Sequence, residues 1–395
     1  MKRLIKKSHF DNVNAMRFLA FLAIFSAHTI ITYNQQIKVT TLYSDLRQFT
    51  SNINDAAYSL LFILTGFLNT WSIFEERFIY KKMNVLRFYM RRVFSVLPLY
   101  FIAFVLGNYI APFLAGSVNM PSWEKITEWQ YLVFIFNFGY QETLNPLLGF
   151  TGNMWSIAVS IQFLIVWPFL MDFFRRNETI MFGSLLLVFA GFTWITGGDP
   201  AYQFNTLNFI PEFVVGGFVA YISFFKYPSY NRLKENTRRT IGTIYLVFIV
   251  FMVLRVKILN QFIEVPEFIL HFAEKILVAG TLGYFLFEQN FNSNSVLKMA
   301  KLKFMTFPGK IVQSLYTYMP LGIVVAFITT AFLVDTETLT SVTLLRPFIA
   351  LFVTFAVSIF SHEYFEKKFL RRKKNYNPTR EYNPVGIADV KTKSS

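Results

Sequence analysis

Cysteine is missing altogether from the 395 residues. Its absence excludes a disulfide framework, a thiolate metal site and a thiol nucleophile, and it leaves the redox compartment undetermined. Charge is scarce too, at 15% of residues against about 25% in soluble domains. No internal repeat and no soluble domain stands out, and no spacing of His or acidic residues makes a metal site.

What fills the chain is apolar. Hydrophobic residues make up 54% and aromatics 19%, and the mean hydropathy is +0.41. The 49 Phe and 20 Tyr suit helices that face lipid and end in aromatic belts. A window of roughly 17 to 25 apolar residues crosses about 30 Å of hydrocarbon. About ten such windows occur, near 13–33, 55–74, 93–115, 154–174, 179–196, 208–226, 240–257, 268–288, 310–334 and 343–362. A shorter stretch near 128–139 reads as interfacial or re-entrant. The fold class is therefore all-α, a polytopic integral membrane protein of about ten transmembrane helices within a lipid bilayer. Met1 to Lys7 could pass for the start of a signal peptide. The run from Val13 to Tyr33 is long enough to span and lacks a small-residue cleavage site, so it reads as a retained first helix.

The balance of 38 basic over 23 acidic residues could suggest nucleic acid, but the basic residues sit in short clusters between apolar runs. That is a topology signal, not a nucleic-acid footprint. Lys2, Arg3, Lys6 and Lys7 place the N-terminus in the cytoplasm. Arg77, Lys81, Lys82, Arg87, Arg91 and Arg92 mark a second loop on that side, and Lys367, Lys368 and Arg371 to Lys374 mark the C-terminal end. Both termini are then cytoplasmic, which requires an even number of spans. The opposite loops are poorer in basic residues, with Lys38, Arg47, Lys257 and Arg346 as exceptions. Residues 1–370 read as one transmembrane domain and 371–395 as a basic, disordered cytoplasmic tail.

Ionisable residues within a span are costly and point to function. The first span has two. Arg17 and His28 are eleven residues apart, which leaves them about 20° apart around a helix and about 16 Å apart along it. They share a face, with Arg17 near the cytoplasmic end. Arg17 taken alone is also consistent with a snorkelling anchor, and His28 with a packed, hydrogen-bonded core residue.

Several segments bear a likeness to known sequences. The first is Arg17-FLAFLAIFSA-His28, an Arg, ten residues and a His on the first span, preceded by Phe10-DNVNAM. Further on come Ser59-LLFILTGFLNT, Leu86-RFYMRRVFSVLPLY, Trp155-SIAVSIQFLIVWP, Phe209-IPEFVVGGFVA, Ser314-LYTYMPLG and His362-EYFEKKFLRR. In this order, over most of the chain, they resemble the type 3 acyltransferase family, membrane enzymes that modify sugars of cell-surface glycans. Two positions depart from the family pattern. Ser160 and Ile161 stand where relatives carry an acidic residue, and Met319 where they often carry His.

The resemblance implies an O-acyltransferase that moves an acyl group, acetyl in the simplest case, from acyl-CoA to a sugar hydroxyl. The acceptor would be a polysaccharide or lipid-linked glycan, and the location the bacterial cytoplasmic membrane. His28 would act as general base, with Arg17 on the same face of the catalytic helix. Acyl-CoA carries several phosphates and needs fixed cations at the cytoplasmic rim, for which Arg17, Arg91 and Arg92 are candidates; positive-inside charge is their simpler reading. Asn153, Trp155, Ser156, Gln162 and Glu212 are candidates for the sugar site, and Glu366 matches a C-terminal family Glu. His271, Glu274 and Lys275 fall within one helical turn and suggest an internal ion pair. No metal is expected. A transporter built from the same ingredients, or a family member that has lost catalysis and serves as a binding subunit, are the alternatives.

Overall fold

The computed structural model describes residues 10–32, 34–110, 113, 128–138, 154–259, 265–295, 298–333 and 337–376. Among these, every regular element is helical. Each of the ten apolar windows holds a helix. In chain order the first four elements are α1 (Asp11–Thr29), a single turn α2 (Gln35–Lys38), α3 (Thr41–Tyr80) and α4 (Val85–Val105). Then follow a short α5 (Glu128–Leu132), α6 (Trp155–Phe173), α7 (Glu178–Thr196), α8 (Ile210–Phe225), α9 (Pro228–Lys234) and α10 (Arg238–Leu259). The last five are α11 (Glu267–Phe291), α12 (Lys303–Lys310), α13 (Val312–Leu333), α14 (Arg346–Ser361) and α15 (Lys367–Lys373).

By length and composition, eight of the described helices can cross a membrane, and a ninth span forms if α9 and α10, bent by 88°, count as one. The helix α1 is not among the eight, because Asp11, Asn12, Asn14, Arg17 and His28 dilute its apolar run. Residues 128–138 form two short helical turns rather than a span. The C-terminal helical stretch continues past residue 370, through α15 and a further turn to Tyr376.

The longest helix, α3, has 40 residues, about 60 Å, or twice the hydrocarbon thickness. The apolar window read from sequence covers only residues 55–74 of it. The stretch 41–54 before the window is mostly polar and stands beyond it.

Against α3 packs α8, and glycines set how closely. A Cβ on Gly66 would collide with the Phe213 carbonyl, and one on Gly216 with the Ile63 carbonyl. Lipid offers no hydrophobic drive between helices, so close backbone approach at small residues supplies the dispersion contact instead. Polar ties cross this core, such as Trp167 Nε1 donating to Thr70 Oγ1 at 2.9 Å. Around this pair, α1 packs on α3, α12 and α13, and α11 packs on α3, α7 and α8.

Candidate functional site

The catalytic candidate His28 lies in the last turn of α1 and is buried. Its Nδ1 is 2.7 Å from the Ile24 carbonyl oxygen. A carbonyl only accepts, so Nδ1 carries the proton and Nε2 keeps its lone pair. His28 lines a cavity of about 720 Å³, large enough for a sugar-sized ligand. The cavity forms where α1, α7 and α10 end and α6 and α11 begin. Gly197, at φ +67°, ends α7 in the left-handed conformation and turns the chain into the 199–209 loop along its wall.

Much of the cavity is written on one helix. Arg47, Ser51, Asn54, Asp55, Tyr58 and Ser59 all line it, at steps of four, three, one, three and one residues. That is one face of α3. This stripe of α3, from Arg47 to Ser59, is thus a cavity wall, and the helical spacing of its polar residues was the signal in the sequence. Across from it, the His271 Nε2 donates to Asn208 Oδ1 at 2.7 Å. Arg255 pairs with Asp55 at 2.9 Å and with Glu274. Lys275 pairs with Glu212 at 3.2 Å and sits 4.3 Å from the Phe209 ring centroid. His271, Glu274 and Lys275 therefore do not pair with one another, as their spacing suggested; each leaves α11 in its own direction to a different partner.

The sugar-site candidates separate. Trp155 lines the cavity, its ring 4.7 Å from Tyr58 and 5.3 Å from Phe209. Ser156 lies behind it, with Oγ 3.2 Å from the Tyr316 hydroxyl. Gln162 is outside the wall; its Nε2 donates to Phe134 O and to Asn137 Oδ1 (2.7 Å), and its Oε1 accepts from Thr206. It ties three segments together. Glu212 is fully buried beneath the wall, with Oε1 accepting from Ser59 (3.0 Å) and Lys275 (3.2 Å) and Oε2 lacking a partner among the described residues. Asn153 falls outside the described residues. At the departures from the family pattern, Ser160 Oγ donates to the Ser156 carbonyl one turn back, and Met319 is buried. The group that orients His28 is a backbone carbonyl rather than a carboxylate.

The other end of α1 is cationic. The charge of Arg17 acts on Arg92 and on Lys373, and Arg91 belongs to the same group. The neighbouring arginines differ. Arg91 is buried, pairs with Glu76 at 3.0 Å, and donates to the Tyr376 carbonyl at 2.9 Å and to Ser72 Oγ at 3.4 Å. Among the described residues Arg92 donates to the Asn69 amide oxygen and lies 5.4 Å from the Phe88 ring centroid, with no carboxylate; its Nε, like that of Arg91, is buried without a hydrogen-bond partner. Among the described residues, Arg17, Arg92 and Lys373 have no carboxylate within ion-pair distance. Glu366 accepts from Ser314 (2.6 Å) and Ser361 (3.2 Å), with His362 Nδ1 at 3.3 Å from its second oxygen. It anchors the C-terminal helices to α13. Among the described residues no cluster of His and acidic side chains could hold a metal.

Between its two ends, α1 does not border this cavity. Its only residues on the cavity wall are Ala27 and His28, while Phe21 and Ile24, on the face shared by Arg17 and His28, are fully buried.

No curated protein and no solved structure matches the chain. The acyltransferase domain of type 3 matches residues 10–366, from Phe10 just before α1 to Glu366 just before α15. With a match over that length, this membrane protein belongs to the type 3 acyltransferase family and is an acyltransferase.

Proposed function

We propose that the protein is a membrane O-acyltransferase that moves an acyl group, acetyl in the simplest case, from acyl-CoA to a sugar hydroxyl of a cell-surface or exported polysaccharide or its lipid-linked precursor. The observation that carries this reading is the polarity of α1. One end presents His28 to a sugar-sized cavity, and the other stands in a cluster of cations in which, among the described residues, only Arg91 has a carboxylate within ion-pair distance. Such a cluster suits the phosphates of CoA, and the buried Nε donors of Arg91 and Arg92 have no acceptor among the described residues.

On this reading α1 crosses the bilayer as a tenth span, both termini are cytoplasmic, and the chain resides in the bacterial cytoplasmic membrane. Acyl-CoA binds on the cytoplasmic side through Arg17, Arg92 and Lys373, with Arg91 holding the wall in place. The thioester passes along α1 towards His28, which requires Phe21 and Ile24 to give way. The acceptor lies in the cavity against Trp155, and His28 Nε2 takes its hydroxyl proton.

The test is glycan acylation in cells that carry His28→Ala at wild-type membrane level. Loss of the acyl increment, read by mass spectrometry of the glycan, is the expected result. Retained acylation would remove His28 from the chemistry.

A further inference from the structure

Arg47 is one of the few cations on the side of the molecule that is otherwise poor in them. Of the other exceptions, Arg346 is accounted for. It is buried, bound to Glu337 and to the Ile31 carbonyl, each at 2.6 Å, and it covers the Phe327 ring. The remaining cations on the cavity wall are matched too, Arg255 by Asp55 and Glu274, and Lys275 by Glu212. Among the described residues Arg47 has no carboxylate within ion-pair distance.

It is nevertheless held in place. Its Nη1 donates to the Ala27 carbonyl at 2.6 Å and to the Ile30 carbonyl at 3.3 Å. Ala27 lies in the last turn of α1 and Ile30 is its C-cap, where carbonyls lack helical partners and the helix dipole is negative. Ala27 is the residue before His28, so the guanidinium is fixed at the helix end that carries the imidazole, and both line the same cavity. A guanidinium has five N–H donors. The two on Nη1 suffice for the carbonyls, and those on Nε and Nη2 remain for the cavity that Arg47 and His28 both line.

We infer that Arg47 supplies the positive charge that stabilises the oxyanion of acyl transfer at His28. The inference rests on the acyltransferase reading above. As the acceptor oxygen bonds to the thioester carbon, its proton passes to His28 Nε2 and the carbonyl π pair moves onto oxygen. Arg47 Nε and Nη2 donate to that oxyanion. On collapse the C=O bond reforms, the C–S bond breaks, and the CoA thiolate recovers the proton from His28. Donors fixed in advance are worth most to such a charge because nothing needs to reorganise when it appears.

The experiment uses the full chain in proteoliposomes with labelled acetyl-CoA as donor and envelope glycan extracted from the producing cells as acceptor. In Arg47→Ala, kcat should fall on the order of 10²- to 10³-fold, while both KM values stay within about threefold. Arg47→Lys should fall between, since an ammonium keeps the charge but not the fork. Methylguanidinium in the buffer should restore part of the kcat of Arg47→Ala and none of that of His28→Ala. The inference is overturned by an unchanged kcat, by a loss confined to acceptor KM, which would make Arg47 a binding group, or by a loss without rescue accompanied by a lowered Tm. If His28→Ala keeps its turnover, the acyltransferase mechanism falls with it. If His28→Ala is dead while Arg47→Ala is active, only the role of Arg47 falls.

Discussion

Neighbouring residues of the same type do different work here. Arg91 and Arg92 are adjacent in sequence and equivalent in any motif, yet Arg91 is spent on Glu76 and the Tyr376 carbonyl while Arg92 faces other cations. Removing Arg91 leaves Glu76 as a buried, unpaired carboxylate, a change that typically costs about 3 to 5 kcal/mol. Arg91→Ala should therefore lower the Tm of the detergent-solubilised protein markedly, and an unchanged Tm would show that the pair is not structural. Arg92→Ala should leave the Tm nearly unchanged and weaken CoA binding by roughly tenfold, equivalent to about 1.4 kcal/mol. Equilibrium dialysis with CoA reads this directly, and an unaltered Kd would return Arg92 to a topology residue. Glu212 shows the same lesson from the acidic side. Its place after Pro211 at a helix start is also where a dipole favours a carboxylate, but the structure puts it under the cavity wall, between Ser59 and Lys275.

At the scale of elements, residues 55–74 of α3 were legible as an apolar window and the stretch before them was not. Thr41 to Asp55 reads as a polar loop if only hydrophobic periodicity is followed. Its order is polar periodicity, the stripe from Arg47 to Ser59, which a search for apolar faces passes over. The crossing of α3 and α8 depends on two glycines, so bulk there should be felt. Gly216→Ala must displace the Ile63 carbonyl, and overpacking of this kind costs about 1 to 3 kcal/mol. Gly191, on α7, has open space where a Cβ would go. Gly191→Ala should be neutral or stabilising by up to about 1 kcal/mol, because alanine is the better helix former. Thermal unfolding of the two variants side by side checks the packing; equal Tm values would mean that α3 and α8 do not meet as closely as described.

For the whole molecule the absence of cysteine becomes an advantage, since a single introduced thiol reports on one place. Lys82 lies in the turn between α3 and α4, and Gln203 in the loop beside the cavity; both are exposed. With a membrane-impermeant maleimide, Lys82→Cys should react only in inside-out vesicles and Gln203→Cys only in right-side-out vesicles. Labelling of both from one side would refute the separation of the cationic end from the cavity, and a swapped pattern would invert the orientation. Charge bias predicts the first outcome, since Lys81, Lys82, Arg87 and their neighbours cluster in loops on one side.

Composition and the length of apolar runs determined by themselves that this is a helical membrane protein. The eleven-residue interval determined that Arg17 and His28 share a face, because both properties depend on residues near one another in the chain. The family, too, was legible from motifs that keep their order along it. What tertiary structure alone decided is which charges meet. Glu76 takes Arg91 and leaves Arg92; Asp55 and Glu274 take Arg255; Glu212 takes Lys275; and Arg47 lies against the end of α1 with no carboxylate of its own among the described residues. Those pairings span 15 to 200 residues of chain. An ion pair in a low-dielectric interior is set by distances of a few ångströms, which no spacing in sequence specifies once the partners stand on different helices.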